Sequence, residues 1–215
     1  MIRINRSAKP DILVEKEADW TDEFDKHRRG EPDVPKAAAT RYRHPDIKSA
    51  ICRDSHNKCA YCESKVTHVY AGETDHILPL SHRPELAVSW DNLAFVCKEC
   101  NQPKSSYYNP ALPLVNPYVE APDDHLVFYG PMPMHWTERG RKTIEQLKLA
   151  RASLLERRVE RIRSLQHLIE IWQSKSGDAV AQAALRETIE LECQADKEFS
   201  ATVRAYVEAR TGWTV

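Results

Sequence analysis

No stretch of this sequence is apolar over the ~20 residues that a membrane-spanning helix needs. The first residues, Met-Ile-Arg-Ile-Asn-Arg, contain no apolar signal core, so we expect a cytoplasmic protein with no membrane partner. The chain also has no internal repeat, no phosphate-binding loop and no G-x-G-x-x-G motif. These absences disfavour membrane proteins, secreted proteins and enzymes that bind a nucleotide cofactor.

An excess of positive charge is missing as well, because 31 Lys and Arg residues stand against 32 Asp and Glu residues. Binding to nucleic acid depends on local charge rather than on the total. Arg41, Arg43 and the run from Lys48 to Lys58 form one basic stretch, whereas the first 35 residues are slightly acidic. The basic stretch predicts a nucleic-acid contact, with a solvated helix face as the alternative.

Cysteine is the informative residue type, since four of the six cysteines form two C-x-x-C pairs. The pairs are Cys59 with Cys62 and Cys97 with Cys100, and four thiolates at this spacing are typical of a structural zinc site with tetrahedral geometry. The alternative is four separate buried thiols. Disulfides would need an oxidising compartment, so we expect the remaining two cysteines to be free.

A polar cluster lies within and just after the segment that the two cysteine pairs enclose. It consists of Asp75-His76 followed by Pro79, then Asn92, and then Asn101 directly after the last cysteine. A neutral histidine can take a proton from water near pH 7, and carboxylate and amide oxygens suit Mg²⁺. Adjacent side chains in a strand point to opposite faces, so Asp75 and His76 can share one site only if the strand twists or ends there.

The motifs Glu-Thr-Asp75-His76-Ile-x-Pro, Asp-Asn92-Leu and Cys-x-x-Cys-Asn101-x-x-Lys104 together resemble the HNH nucleases, which have the ββα-metal fold. The resemblance implies that His76 is the general base and that Asp75 and Asn101 bind the catalytic metal. It also implies that Asn92 orients the loop and the base. Because Asn101 replaces the histidine that is common at its position, we expect Mg²⁺ or Mn²⁺ rather than a softer metal.

The same resemblance assigns the substrate contacts. Lys104 is expected to contact a phosphate, with a solvated surface position as the alternative, and Arg41 and Arg43 are expected to hold the nucleic-acid backbone. The predicted activity is hydrolysis of DNA phosphodiester bonds. One rival is cleavage of RNA such as tRNA, and another is a non-catalytic, zinc-stapled nucleic-acid-binding module. The second rival requires Asp75, His76 and Asn101 to be too far apart to share one ion.

The predicted fold class is α+β, a zinc-stapled ββα-metal module with an N-terminal arm and a C-terminal helical hairpin. We expect the arm over residues 1–44, the nuclease module over residues 45–120 and a mainly helical region over residues 121–215. A short strand is predicted at Ile2–Ile4 and another at Leu126–Tyr129. Apolar residues at helical spacing predict two C-terminal helices, Thr143–Trp172 and 179–209.

Weaker motifs outside the nuclease module resemble the HNH subunit of Septu-type antiphage systems, which also accompanies certain retrons. They include the Asn116-Pro-Tyr segment and Gly140-x-x-Thr143-Ile-x-x-Leu. The resemblance implies an antiphage role and a separate ATPase subunit of the ABC or SMC type in a hetero-oligomer. The acidic arm and the C-terminal helices are the candidate docking surfaces.

Overall fold

A two-stranded hairpin and one short helix form the centre of the fold in the computed structural model, which describes residues 1–215. The antiparallel strands β1 (Glu73–His76) and β2 (Leu93–Val96) pair Glu73 with Val96 and His76 with Leu93. All four residues of β2 are buried, because helices cover the hairpin. Helix α2 (Pro45–Asp54) packs against β2, and helix α3 (Lys98–Lys104) packs against β1.

The N-terminal arm packs onto this centre. Its first ten residues form no helix or strand, and helix α1 (Asp11–Arg29) then ends at Gly30, whose φ of 72° closes the helix. The prediction of a strand at Ile2–Ile4 is wrong. The arm is held by single hydrogen bonds, such as that from the Ile4 amide to the Pro117 carbonyl at 2.8 Å, and not by a strand ladder. A 3-10 helix, Lys36–Arg43, connects the arm to α2.

The C-terminal region is helical, as predicted, but it contains four helices rather than two. They are α4 (Glu138–Gln146), α5 (Ala152–Ser174), α6 (Ala179–Glu192) and α7 (Ser200–Thr211). Each predicted long helix is interrupted at a residue with positive φ, Lys148 at 50° and Phe199 at 54°. Apolar periodicity does not reveal these two interruptions, because an apolar residue remains buried at each of them, Leu149 at the first and Phe199 at the second.

A second hairpin lies between the nuclease module and the helices. The strands β3 (Leu126–Tyr129) and β4 (Met132–His135) pair antiparallel, and the strand predicted at Leu126–Tyr129 is confirmed. Helix α7 packs against β3 and helix α4 packs against β4. One face of the hairpin is buried through Leu126, Phe128 and Pro133, while the other face stays open.

The main apolar core contains 30 buried residues, and it draws on every part of the chain. Leu13 and Trp20 come from α1, Phe95 comes from β2, and Leu154 and Phe199 come from the C-terminal region. A smaller cluster of 6 buried residues holds α5, α6 and α7 together. The predicted segments 1–44, 45–120 and 121–215 thus describe the order of motifs along the chain. Their use as domain boundaries stays a prediction. None of the helices is long and apolar enough to cross a membrane.

Candidate functional site

The four cysteines of the C-x-x-C pairs meet in one buried cluster. Their Sγ atoms all lie within 4.8 Å of one another, and the Sγ atoms of Cys62 and Cys97 are 3.7 Å apart. A tetrahedral zinc ion with Zn–S bonds of about 2.3 Å places its sulfur ligands about 3.8 Å apart. The cluster therefore matches the size and the ligand type of a structural zinc site.

The four buried thiols of the cluster shift one another's pKa. Burial raises the pKa of Cys59 well above its usual value, whereas hydrogen bonds from the neighbouring thiols lower the pKa of Cys62. Four thiolates in one buried cluster need positive charge beside them. Arg151 supplies part of that charge, because its guanidinium lies 3.6 Å from the Cys100 Sγ and 3.9 Å from the Cys97 Sγ.

The cysteine cluster also fixes the position of α3. Cys97 and Cys100 lie at the start of this helix, and Asn101 follows directly. The backbone N–H of Asn101 donates to the Cys97 carbonyl at 3.0 Å. Helix α3, strand β1 and the 3-10 helix Lys36–Arg43 surround an open pocket of about 460 Å³, hereafter the β1 pocket. It is lined by Tyr42, Arg43, Lys48, Tyr70, Gly72, Glu73, Thr74, Asp75, His76 and Asn101.

The β1 pocket brings together the three residues expected to carry the chemistry, Asp75, His76 and Asn101. Strand β1 ends at His76, as the condition for a shared site requires. Asp75 points towards α3, while His76 points towards the loop that follows the strand. Both residues nevertheless line the same pocket. This shared pocket disfavours the non-catalytic module, which requires the three residues to lie far apart.

His76 is held through one ring nitrogen. Its Nε2 lies 2.7 Å from the Ala87 carbonyl oxygen, and a carbonyl can only accept, so Nε2 must carry the proton. Nδ1 is then the basic nitrogen of the neutral ring, and it has no hydrogen-bond partner in the chain. Burial lowers the pKa of His76 to about 4, although the Ala87 carbonyl opposes that shift. The ring of Tyr42 packs edge-on against His76 at 4.4 Å between centroids.

Asn92 secures the loop that holds His76. The Leu78 amide donates to the Asn92 Oδ1 at 2.7 Å, and the Asn92 Nδ2 donates to the carbonyls of Leu78 and Leu86 at 3.0 and 3.4 Å. Ala87, the partner of His76, follows Leu86 directly. Asn92 is buried and does not line the β1 pocket, so its contacts agree with an orienting role at a distance from the reacting atoms.

Lys104 occupies a different environment from either of the two expected for it. Its Nζ donates to the Asp75 Oδ1 at 3.0 Å and to the His76 carbonyl at 2.7 Å, and the side chain is only 1% exposed. The prediction of a phosphate contact is therefore wrong, and so is the solvated alternative. Lys104 lies one turn after Asn101 on the same face of α3, but its hydrogen bonds hold the amine beneath β1 rather than in the pocket.

Asp75 is correspondingly enclosed by donors. Lys104 holds its Oδ1, and the buried Tyr61 hydroxyl donates to its Oδ2 at 2.9 Å. Burial raises the pKa of Asp75, while Lys104 and Tyr61 oppose that shift. Sequence reasoning missed Tyr61, although its position inside the first C-x-x-C pair marks it as a neighbour of the zinc site.

Glu73 is a second residue that sequence reasoning missed. Its Oε2 accepts a hydrogen bond from the Asn101 Nδ2 at 2.7 Å, and its Oε1 accepts one from the Tyr70 hydroxyl, also at 2.7 Å. Glu73 and Asp75 lie two residues apart in β1 and so share one face, which is the available signal. Gly72 precedes the strand with a φ of 65°, and a Cβ there would lie 2.2 Å from the Phe95 ring.

The two arginines predicted to hold the substrate have different positions. Arg43 is exposed and lines the β1 pocket, together with Lys48. Arg41 does not line the pocket, because it pairs with Glu23 of α1 at 3.0 Å and packs over the Trp20 ring. These contacts disfavour a substrate contact by Arg41, and that role stays a prediction. The sequence pattern of basic residues does not reveal that Arg41 faces Glu23 of α1.

The oxygen atoms around the β1 pocket fit a hard divalent cation. Asp75 offers carboxylate oxygens that keep a lone pair after binding Lys104 and Tyr61, and the Asn101 Oδ1 accepts no hydrogen bond from the protein. Mg²⁺ needs only one or two protein oxygens, since water and phosphate complete its shell. No thiolate lines the pocket, and the one imidazole that does, that of His76, is the predicted base.

Comparison with known proteins agrees with this geometry. Residues 59–106 match the family model described as HNH endonuclease, and this range covers both cysteine pairs, β1, β2 and α3. The chain carries an HNH endonuclease domain. The protein is accordingly a nuclease, and the fold class predicted for it, an α+β module with a cysteine cluster and a helical C-terminal region, is confirmed.

The similarity to other proteins extends beyond the HNH domain. The chain is 28% identical over 219 residues to the Septu protein PtuB of Bacillus thuringiensis, which covers 94% of this chain and 80% of that protein. It is also 26% identical over 152 residues to the Septu protein PtuB of Bacillus mycoides strain KBAB4, covering 55% of this chain and 52% of the relative. The resemblance to Septu proteins thus extends along nearly the whole chain.

Proposed function

We propose that this HNH nuclease hydrolyses DNA phosphodiester bonds with Mg²⁺ or Mn²⁺, as the cytoplasmic nuclease of an antiphage defence system. The observation that carries the proposal is the convergence of Asp75, His76 and Asn101 on one pocket beside the cysteine cluster. The antiphage role rests on the similarity to the two Septu proteins.

In the proposed reaction His76 is the general base. It is neutral at physiological pH, and its Nε2 proton is held by Ala87, so Nδ1 accepts a proton from the attacking water. Asn92 maintains the loop that carries Ala87, and Tyr42 limits rotation of the imidazole. Together these contacts keep the His76 ring in one orientation and leave its Nδ1 open to the pocket.

Asp75 and Asn101 are the residues that would hold the catalytic cation. When bound, such a cation neutralises charge on the phosphate and on the leaving oxygen. Lys104 and Tyr61 hold the Asp75 carboxylate in place, and both oppose the rise in its pKa that burial causes. Arg43 and Lys48 supply the positive charge at the rim that attracts a phosphodiester backbone.

A cleavage assay tests the catalytic assignment. Purified wild-type protein and the His76→Ala variant are incubated with supercoiled plasmid and Mg²⁺, with His68→Ala as a matched control because His68 is exposed outside the pocket. We expect a loss of at least 100-fold for His76→Ala and no change for His68→Ala. Cleavage by His76→Ala at the wild-type rate, with zinc content unchanged, would remove the proposed base.

The same assay distinguishes DNA from RNA as the substrate. Equal nucleotide concentrations of duplex DNA and of total RNA containing tRNA are offered, each with Mg²⁺ and with a chelator. We expect metal-dependent cleavage of the DNA only. Selective cleavage of the RNA would reject the DNA assignment while leaving the catalytic residues in place.

An exposed apolar surface supports a protein partner, which we take to be a separate ATPase subunit in a hetero-oligomer. The open face of the β3–β4 hairpin carries Tyr129, Met132, Met134 and Trp136, each between 42% and 65% exposed. A cluster of exposed aromatic and methionine side chains is typical of a protein interface. This face differs from the docking surfaces predicted from sequence, which were the acidic arm and the C-terminal helices.

Co-expression with the product of a neighbouring ATPase gene tests the partner. We expect the two proteins to co-purify, and we expect Tyr129→Ser combined with Met134→Ser to disrupt the complex. Val180→Ser is the matched control, because Val180 is an exposed apolar residue on α6, outside the hairpin face. Disruption by the control alone would place the interface on the helices instead.

A further inference from the structure

The hydrogen bond between Asn101 and Glu73 determines which way the Asn101 amide faces. A carboxylate has no proton to donate, so the group that lies 2.7 Å from the Glu73 Oε2 must be the NH₂ end of the amide. The opposite end, Oδ1, then has no partner within the protein. Because Asn101 lines the β1 pocket, its oxygen is the end that remains free to bind a cation.

Glu73 is itself held in place on several sides. The Tyr70 hydroxyl donates to its Oε1, so both carboxylate oxygens have a partner. Its backbone pairs with Val96 at the end of the hairpin, and the tight approach of Gly72 to Phe95 sets the start of the strand. A carboxylate fixed in this way is a rigid acceptor for the Asn101 amide.

We infer that Glu73 is a positioning residue that holds the Asn101 amide with its oxygen towards the catalytic metal. The inference rests on the proposed function, since it requires Asn101 to be a metal ligand. Glu73 acts through Asn101 and not on the metal directly. Glu73 contacts the NH₂ end of the Asn101 amide, whereas the cation would bind at its Oδ1 end.

The inference predicts a specific role for hydrogen bonding. Without an acceptor at Glu73, the Asn101 amide is free to turn its NH₂ end towards the cation, which an amide nitrogen cannot ligate. Residues that orient metal ligands typically contribute 10- to 100-fold to metal affinity. Glutamine at position 73 would still offer an amide oxygen as acceptor, whereas alanine would not.

Comparison of Glu73→Ala with Glu73→Gln therefore isolates the hydrogen bond. Both variants lose the same negative charge, so any difference between them is not caused by long-range attraction of the cation. The measurement is the Kd for Mn²⁺, determined by electron paramagnetic resonance on protein with its zinc retained. Thermal unfolding and zinc content show that each variant is folded. Glu99→Ala is the matched control, because Glu99 is exposed on α3 and does not line the β1 pocket.

We expect Glu73→Ala to raise the Kd at least 10-fold above that of Glu73→Gln, and Glu99→Ala to bind as the wild type does. Equal Kd values for Glu73→Ala and Glu73→Gln would overturn the inference, whether both match the wild type or both are weakened. Asp75→Ala separates this result from the proposed function. Mn²⁺ binding that does not depend on Asp75 would overturn the metal site itself, and the role of Glu73 with it.

Discussion

The amine of Lys104 lies 3.0 Å from the Asp75 carboxylate, and both side chains are almost completely buried. This pair joins α3 to β1 directly behind the β1 pocket, so it fixes the distance between the helix that carries Asn101 and the strand that carries Asp75. The ion pair thus allows α3 and β1 to present Asn101 and Asp75 to the same pocket.

Removal of the Lys104 amine should therefore affect stability before it affects substrate binding. We expect Lys104→Ala to lower the free energy of unfolding by about 3–5 kcal/mol, because the Asp75 carboxylate would stay buried without its partner. Urea unfolding measures this loss, and Lys98→Ala, on the exposed side of α3, is the control. An unchanged unfolding free energy combined with a raised KM would instead restore the phosphate-contact role.

Asn92→Ala should weaken both the fold and the reaction. The substitution removes the side-chain hydrogen bonds to Leu78 and Leu86, which we expect to cost about 2–3 kcal/mol of unfolding free energy. The loop that presents the Ala87 carbonyl to His76 would then move more freely, so kcat should fall by more than KM rises. Steady-state kinetics under conditions where the variant is fully folded test this split. A pure KM effect would contradict the orienting role.

The positive charge beside the cysteine cluster should influence zinc retention. We expect Arg151→Ala to release zinc at least 10-fold faster than the wild type when a chromogenic chelator is present, because two guanidinium contacts to the thiolates are lost. Arg157→Ala serves as the control, since Arg157 is an exposed arginine of α5 that pairs with Glu160. Equal release rates would show that Arg151 does not act on the cluster.

Removal of the cluster itself should abolish the site by unfolding it. We expect Cys100→Ser to lose stoichiometric zinc and the helical signal of α3, together with all cleavage, because Asn101 would no longer be positioned. Elemental analysis and circular dichroism measure the two losses. In contrast, brief treatment with a weak chelator should stop cleavage without removing zinc, and Mg²⁺ alone should restore it.

The two arginines of the basic stretch should behave differently. We expect Arg43→Ala to weaken binding of a DNA duplex. The slope of log K against log salt concentration should fall by about one, which corresponds to the loss of one phosphate contact. Arg41→Ala should leave DNA binding unchanged, because Arg41 is paired with Glu23 in a partly exposed ion pair. Titrations at several salt concentrations compare the two variants. The reverse order would place the substrate along the arm rather than over the β1 pocket.

The cysteine spacing and the order of the polar motifs were sufficient to predict the module and its chemistry. Paired C-x-x-C motifs allow few geometries, and residues adjacent to a zinc ligand, such as Asn101, inherit its position. The same reasoning did not reveal the partners of Lys104 and Arg41, which lie far away in the chain. Asp75 is 29 residues from Lys104, and Glu23 is 18 residues from Arg41.

Local sequence thus determined which functional groups are available, namely four clustered cysteines, an imidazole and several side-chain oxygens, because these follow from residue type and short spacing. Tertiary structure decided which charged groups remain available for a substrate. Burial and ion pairing are properties of packed surfaces. Arg41 and Arg43 are two residues apart, and they end in different environments once the 3-10 helix Lys36–Arg43 packs against α1. The role inferred for Glu73 also depends on tertiary structure, since only the packing of α3 against β1 brings Glu73 to Asn101.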